Sequence, residues 1–483
     1  MRKIYNIVLM TIIIYIVIIP AEGSELESIA RIDTTLNMYR NNNVKLRQIF
    51  QRMPKGGDLH HHYSGSIYAE TYLKYIEDND LWVNKINYEI IDQTPPNLES
   101  NEWSKISSIK ADGNWQNTKV KIIESWSILY YNYVSEPTDE HFFATFEKFD
   151  IPKKNTISEG LIELRERAIN ENVSYIESMF ISVGKLPKYE IDQIFDSTLF
   201  KLQETKDKAI QDSLEIMFKY YSSQSSYKSI ANTHNQKVDS LHKVLKLDDY
   251  KFTIRYQNYV VRVLNPTSVF KDLILSFESA SNSDLIVGVN IVAPENNTIS
   301  MRDYWLHNQF FRFLKNKYKN VKTAMHAGEL TLGLVKPEDL SWHIKESVFE
   351  GKADRIGHGV DIAYESNSDS VLKYMAENQI PVEINLTSNE FILGVKGSSH
   401  PISLYFDYNV PIVISTDDAG VLRTDMTEQY IKLFQTFSNF NYLDLKKIVY
   451  NSINYSFMNQ KDKLRLIEDL DMRFEIFERT FVN

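Results

Sequence analysis

Ile412-Val413-Ile414-Ser415-Thr416-Asp417-Asp418 is a short apolar run that ends in two carboxylates. The same design recurs upstream. Residues 321–325 lead into Met325-His326-Ala327-Gly328-Glu329, and residues 354–356 lead into Arg355-Ile356-Gly357-His358-Gly359. The earliest copy, residues 57–59, runs into Asp58-Leu59-His60-His61-His62. Each run ends in a residue type that binds a metal or works beside one. Further short apolar runs lie at 173–179, 252–256, 285–292 and 382–386, and long helical stretches separate them. This pattern favours parallel β/α units over a sandwich. Eight such strands predict an α/β fold closed into a (β/α)8 TIM barrel, where working groups collect at the C-terminal ends of strands.

Strand alternation puts His60 and His62 on one side, where they can grip one metal ion, and turns His61 away. The chain has no cysteine, which removes thiolate zinc sites, cysteine nucleophiles and deaminases that hold zinc with cysteine. The His-Glu-x-x-His pattern of many metalloproteases is also absent. Any metal must rest on His, Asp or Glu. A formal charge of -10 argues against nucleic acid as partner and points to a small molecule. With 483 residues, 43% of them hydrophobic, the chain can bury a large core.

Residues 1–23 read as a signal peptide. Arg2 and Lys3 precede an apolar stretch over residues 7–19, and small residues follow near Ser24. The stretch is shorter than the roughly 20 residues that span a bilayer, so the expectation is a secreted or periplasmic protein with no stable membrane insertion after cleavage. An uncleaved anchor is the alternative. Residues 24–52 are expected to form an N-terminal helical arm, and residues 53–483 the barrel, with helical inserts near 70–165 and 187–249. Within the first insert, aromatic residues crowd 126–149 and read either as helical core packing or as an apolar wall over the barrel mouth. The second insert reads as a solvated helical pair. Either it or the arm could support a homodimer.

Singly, these motifs have ordinary readings: a histidine run on the surface, a glycine turn, an Asp N-cap. Four of them in this order, spanning residues 53–418, resemble the adenosine deaminases of the metal-dependent amidohydrolase superfamily, and especially their secreted, growth-factor-like or bacterial extracellular branch. The resemblance implies that His60, His62, His326 and Asp417 hold one zinc ion per chain. It further implies that His358 acts beside the attacking water as base and electrostatic support, with Asp417 orienting that water. Glu329 would protonate the purine ring nitrogen, which requires a dry pocket that keeps its carboxyl neutral. Asp418 would bind the other ring nitrogen. The implied reaction is zinc-dependent hydrolysis of adenosine, and of 2′-deoxyadenosine, to inosine-type products and ammonia.

Two departures from the family bear on the substrate. Ser64 stands where many members have a ribose-contacting Asp. In Gly288-Val289-Asn290-Ile291-Val292-Ala293-Pro294-Glu295, Ala293 replaces the usual Gly whose backbone faces the purine. Deamination of another aminated purine or heterocycle therefore stays open, as does a non-catalytic extracellular nucleoside-binding or signalling role. Glu383, Asn385, Ser388-Asn389 and His400-Pro401 are further pocket candidates, His400 with a structural role as an equal reading. Lys55 reads as a solvated charge.

Overall fold

Eight parallel strands hydrogen-bond in chain order: β1 (Gly57–His62), β2 (Tyr175–Met179), β3 (Thr253–Val261), β4 (Ile286–Val292), β5 (Lys322–Ala327), β6 (Arg355–His358), β7 (Val382–Ile384) and β8 (Ile412–Ile414). These are the eight runs expected from the sequence. The structure is a computed structural model that describes residues 22–95, 102–134 and 136–481. The ring joins β8 to β1 just past the end of β8: the His62 N–H donates to the Asp417 carbonyl at 3.0 Å, and the Asp417 N–H donates to that of His60 at 2.9 Å. Closure therefore occurs at the candidate metal ligands themselves. The β1 to β2 register shifts between Asp58 and His61, an irregularity common at barrel rims and beside active sites.

Helices cover the outside of the barrel, so its strands are buried on both faces. Its interior also holds charge. Arg355 bridges Glu177 and Glu383, its guanidinium lies 3.6 Å over the Phe457 ring, and Gln257 donates to Glu177 at 2.8 Å. Pairing is what makes such burial tolerable.

The expected signal segment lies outside the described residues apart from its last two, which begin the helix Glu22–Met38. Among the described residues, no helix is long and apolar enough to cross a membrane. The arm forms this helix and Asn43–Phe50, capped by the Asn42 side chain on the Lys45 N–H. Leu46, Ile49 and Phe50 pack it onto the barrel's last helices, where Phe50 meets Phe434 with ring centroids 6.0 Å apart.

Three expectations are corrected. Residues 187–249 form three helices, Asp192–Thr205, Ile210–Ser222 and Ser226–Leu245, and Leu199, Leu214, Met217, Tyr221, Tyr227 and Val238 bury their inner faces. Their polar outer faces dominated the composition and hid this third, packed layer. The first insert also carries a small antiparallel sheet of Trp82–Asn84, Ile90–Ile91 and Trp103–Lys105. Lys55 is fully buried below β1, donating to the carbonyls of Met53 at 3.1 Å and Glu171 at 2.6 Å. Burial pushes its ammonium down to about 7.

Candidate active site

β1 presents His60 and His62 at its end, β5 presents His326, β6 presents His358, and Asp417 follows β8. The structure brings them together. His62 Nε2 lies 3.2 Å from His326 Nε2 and 3.2 Å from Asp417 Oδ1, which is 3.4 Å from His60 Nε2. His61 turns away, its Nδ1 pairing with the Ser178 hydroxyl at 3.0 Å. Gly357 leaves room for this convergence, since a Cβ there would sit 2.7 Å from the His60 ring.

The surrounding groups prepare the histidines for a metal. His60 Nδ1 meets the Glu383 carboxylate at 2.7 Å, and His326 Nδ1 meets the Asn290 side-chain oxygen at 2.9 Å. An acceptor at Nδ1 holds the ring proton there and leaves the Nε2 lone pair facing the centre. Asn290 is held in turn by its amide on Gln257 at 3.1 Å. His60 Nε2 is buried without a hydrogen-bond partner. Burial disfavours charge on His60, yet the nearby Asp417 carboxylate and the hydrogen bond to Glu383 outweigh it and raise the ring to about 10. The site therefore calls for positive charge at this point. Overlapping sets of His60, His62, His326, His358, Glu329 and Asp417 offer donor atoms within 4.8 Å of one another. Imidazole nitrogens with one carboxylate suit a divalent metal such as zinc.

Glu329 lies beside this cluster, its Oε1 3.6 Å from His358 Nε2. Burial, reinforced by the Asp417 charge, pushes its carboxyl up to about 8, so it is mostly neutral at pH 7. Burial and Asp417 also push Asp418 well above its ordinary value, and Asp418 Oδ1 is buried with no hydrogen-bond partner. Gly65 makes that position accessible, because a Cβ there would come within 1.8 Å of Asp418 Oδ1. Burial first, and the His60 charge second, push His358 down to about 3. Asp417 and His358 have positive φ, 62° and 67°, and Ala293 reaches 89°. Such backbone strain in non-glycine residues concentrates at functional sites.

Over the cluster opens a cavity of about 450 Å3, a size suited to a small ligand. Ser64, Ala293, Glu329 and Asp418 all line it. Its outer wall is the helix Thr138–Lys148, through Phe142, Phe143 and Phe146. The 126–149 stretch thus does both things the sequence left open: Phe142 and Phe149 are buried in packing while this helix walls the mouth. Ser64, Lys153 and Tyr259 are shared with an adjoining cavity of about 740 Å3 against the helix Ser226–Leu245.

Several supporting residues had no assignment from sequence. Arg262 is buried and donates to the Ala293 carbonyl at 2.7 Å and the His326 carbonyl at 3.3 Å. Glu295 accepts the backbone N–H groups of Gly328 and Glu329. A charge or amide inside or just beyond a short apolar run was the signal available for Arg262, Asn290, Glu295 and Arg355.

A profile of the family described as adenosine deaminase matches residues 235–473. An adenosine deaminase from Clostridium acetobutylicum is 27% identical over 299 residues, which cover 62% of this chain and 81% of that protein. One from Clostridium kluyveri is 24% identical over 442 residues, covering 90% and 99%. Among solved structures, an Arabidopsis N6-mAMP deaminase aligns with a TM-score of 0.54 and 18% identity, covering 88% of this chain and 99% of that one. An amidohydrolase with bound zinc from Burkholderia ambifaria aligns with a TM-score of 0.53 and 14% identity, covering 90% and 94%. At these identities the two solved structures share the fold with this chain.

Proposed function

This chain belongs to the adenosine deaminase family of hydrolytic deaminases, and from that premise we propose that it deaminates adenosine, and 2′-deoxyadenosine, with one zinc ion per chain. One observation carries the reading: the buried carboxyl of Glu329 lines the same cavity as His62, His326 and Asp417, which converge with His60. In this reading those four residues hold the metal, which when bound supplies Lewis-acid activation of water near neutral pH.

The remaining work falls to the chain's own groups. Asp418, with Oδ1 unpartnered, takes one ring nitrogen of the purine and fixes the plane of the base. Glu329 gives its proton to the ring nitrogen beside the amino-bearing carbon, so the negative charge created by addition of water is quenched as it forms. The carbon–oxygen bond forms and aromaticity is lost. The carbon–nitrogen bond then breaks, the amino group leaves as ammonia with one proton of the added water, and a carbonyl remains as the second proton returns to Glu329. Asp417 orients the water, and the phenylalanine wall excludes bulk solvent from the charged intermediate. The segment before residue 24 adds the proposal that the enzyme is exported.

A second reading, another aminated purine such as a nucleotide, is favoured by Ser64 and Lys153 at the neck into the larger adjoining cavity. The test is ultraviolet absorbance of purified, zinc-supplemented protein with adenosine, 2′-deoxyadenosine, adenine and adenosine 5′-monophosphate. Chelator-sensitive conversion of adenosine to inosine supports the first reading. Faster turnover of another member of the panel gives the substrate to the second, and nucleoside binding without ammonia release would overturn both.

A further inference from the structure

His358 Nδ1 does not face solvent or a carboxylate. It lies 3.0 Å from the Asn389 amide nitrogen and 3.4 Å from that of Asn385, and the Asn389 oxygen lies 3.0 Å from His400 Nε2. The far end of this chain is unambiguous: the Ile402 backbone N–H, which can only donate, reaches His400 Nδ1 at 3.2 Å. His358, Asn389 and His400 are all buried.

The donor and acceptor roles then follow one from the next. His400 Nδ1 accepts from the Ile402 amide, so a neutral His400 carries its proton on Nε2. That proton goes to the Asn389 oxygen, which turns the Asn389 NH2 toward His358. His358 Nδ1 must accept, and the ring proton of neutral His358 is placed on Nε2. Nε2 is the nitrogen on the Glu329 side of the ring, 3.6 Å from that carboxyl.

We propose that Asn389 and His400 are positioning residues that fix His358 as an Nε2–H donor toward the oxygen being delivered to the purine. The proposal rests on the deaminase reading above. It divides the two roles implied for His358 by the family resemblance: the electrostatic one is kept and the base is not. A base at Nε2 would need its lone pair there and its proton on Nδ1, directed into the NH2 of Asn389. The water's proton passes instead to Asp417, the nearby carboxylate, while the Nε2–H of His358 stabilises the oxygen through addition.

The test uses the full zinc-loaded chain labelled with 15N-histidine, with His358 identified by difference from His358→Gln. Near neutral pH the expected spectrum has His358 unprotonated at Nδ1 and protonated at Nε2. Asn389→Asp replaces the donor with an acceptor and should move the proton to Nδ1. It should lower kcat by about 10- to 100-fold with little change in KM or zinc content, the range seen when support to a site residue is lost. His400→Gln keeps a donor for Asn389 and should retain most of kcat, whereas His400→Leu should not. A proton on Nδ1 of His358 in the unaltered protein overturns the proposal, and so does an unchanged kcat in Asn389→Asp. The spectrum needs no turnover: an Nε2–H His358 in a protein inactive on adenosine would leave the relay standing and remove the substrate reading alone.

Discussion

Glu295 Oε2 accepts the backbone N–H of Glu329 at 2.9 Å, and its other oxygen accepts that of Gly328 at 3.1 Å. One carboxylate thus holds the turn carrying Glu329, the proposed proton donor. Burial works against its charge, but the hydrogen bond from His343 at 2.6 Å and the Arg262 charge keep it below the usual carboxylate range. Glu295→Gln keeps the shape yet sets an NH2 against one of the two amides. Hydrogen bonds to charged groups are worth about 1.5–3 kcal/mol, so kcat should fall roughly 10- to 100-fold. Zinc content should be unchanged, because Glu295 contacts no proposed ligand side chain. Steady-state kinetics beside metal analysis checks this, and full activity in the variant would refute it.

Glu329 gives the pH dependence its sign. Its carboxyl is raised from 4.5 to about 8, so the donor form dominates below pH 8 and is lost as pH rises through that value. The kcat profile should fall above pH 8 by about tenfold per unit. In linkage terms, the folded chain keeps a proton between pH 4.5 and 8 that the unfolded chain has released. This group's contribution to stability is therefore complete below 4.5 and lost as pH rises to 8. A rate profile with no limb between pH 7 and 10 would remove Glu329 from the proton-donating role.

Metal and proton transfer should separate in two variants. His326→Ala removes a donor that Asn290 holds in place and should lose both zinc and turnover. Glu329→Gln should lose turnover and keep zinc. Chelation of the unaltered protein should lower its thermal midpoint, since a ligand present at 1,000 times its dissociation constant stabilises by about 4 kcal/mol. Equal zinc loss in the two variants, by elemental analysis, would count against their assigned roles.

The barrel was legible because parallel strands buried on both faces read as short apolar runs, and Ile412–Ile414 and Ile286–Val292 stand out at once. Boundaries were less so: β3 runs on to Val261, where its later residues pair with β4. The converging residues were legible too, because each ends a run. What supports them was not. Glu383 meets His60 across 323 positions, and the Lys55 ammonium finds the Glu171 carbonyl across 116, partners that no local pattern announces. The strands of the small sheet are two or three residues long, too short for alternation to show. Asn389 and His400 could be flagged individually, but their link through one amide exists only in the folded chain.

Ala293 offers a test of the substrate pocket and of backbone strain together. Its φ of 89° lies where a Cβ is unwelcome, it lines the cavity, and its carbonyl is held by Arg262. Strain of this kind costs about 1–3 kcal/mol, against roughly 0.5–1 kcal/mol of extra chain entropy that glycine loses on folding. Ala293→Gly should therefore be neutral to stabilising by about 1 kcal/mol, a rise of at most a few degrees in thermal midpoint. Removing the methyl from the cavity wall should also lower KM for adenosine with kcat little changed. Ala293→Val should do the reverse, because a β-branched side chain at positive φ is a steric outlier. If the glycine variant melts well below the parent chain and binds adenosine more weakly, the methyl is a packing element of the pocket and not an obstruction in it.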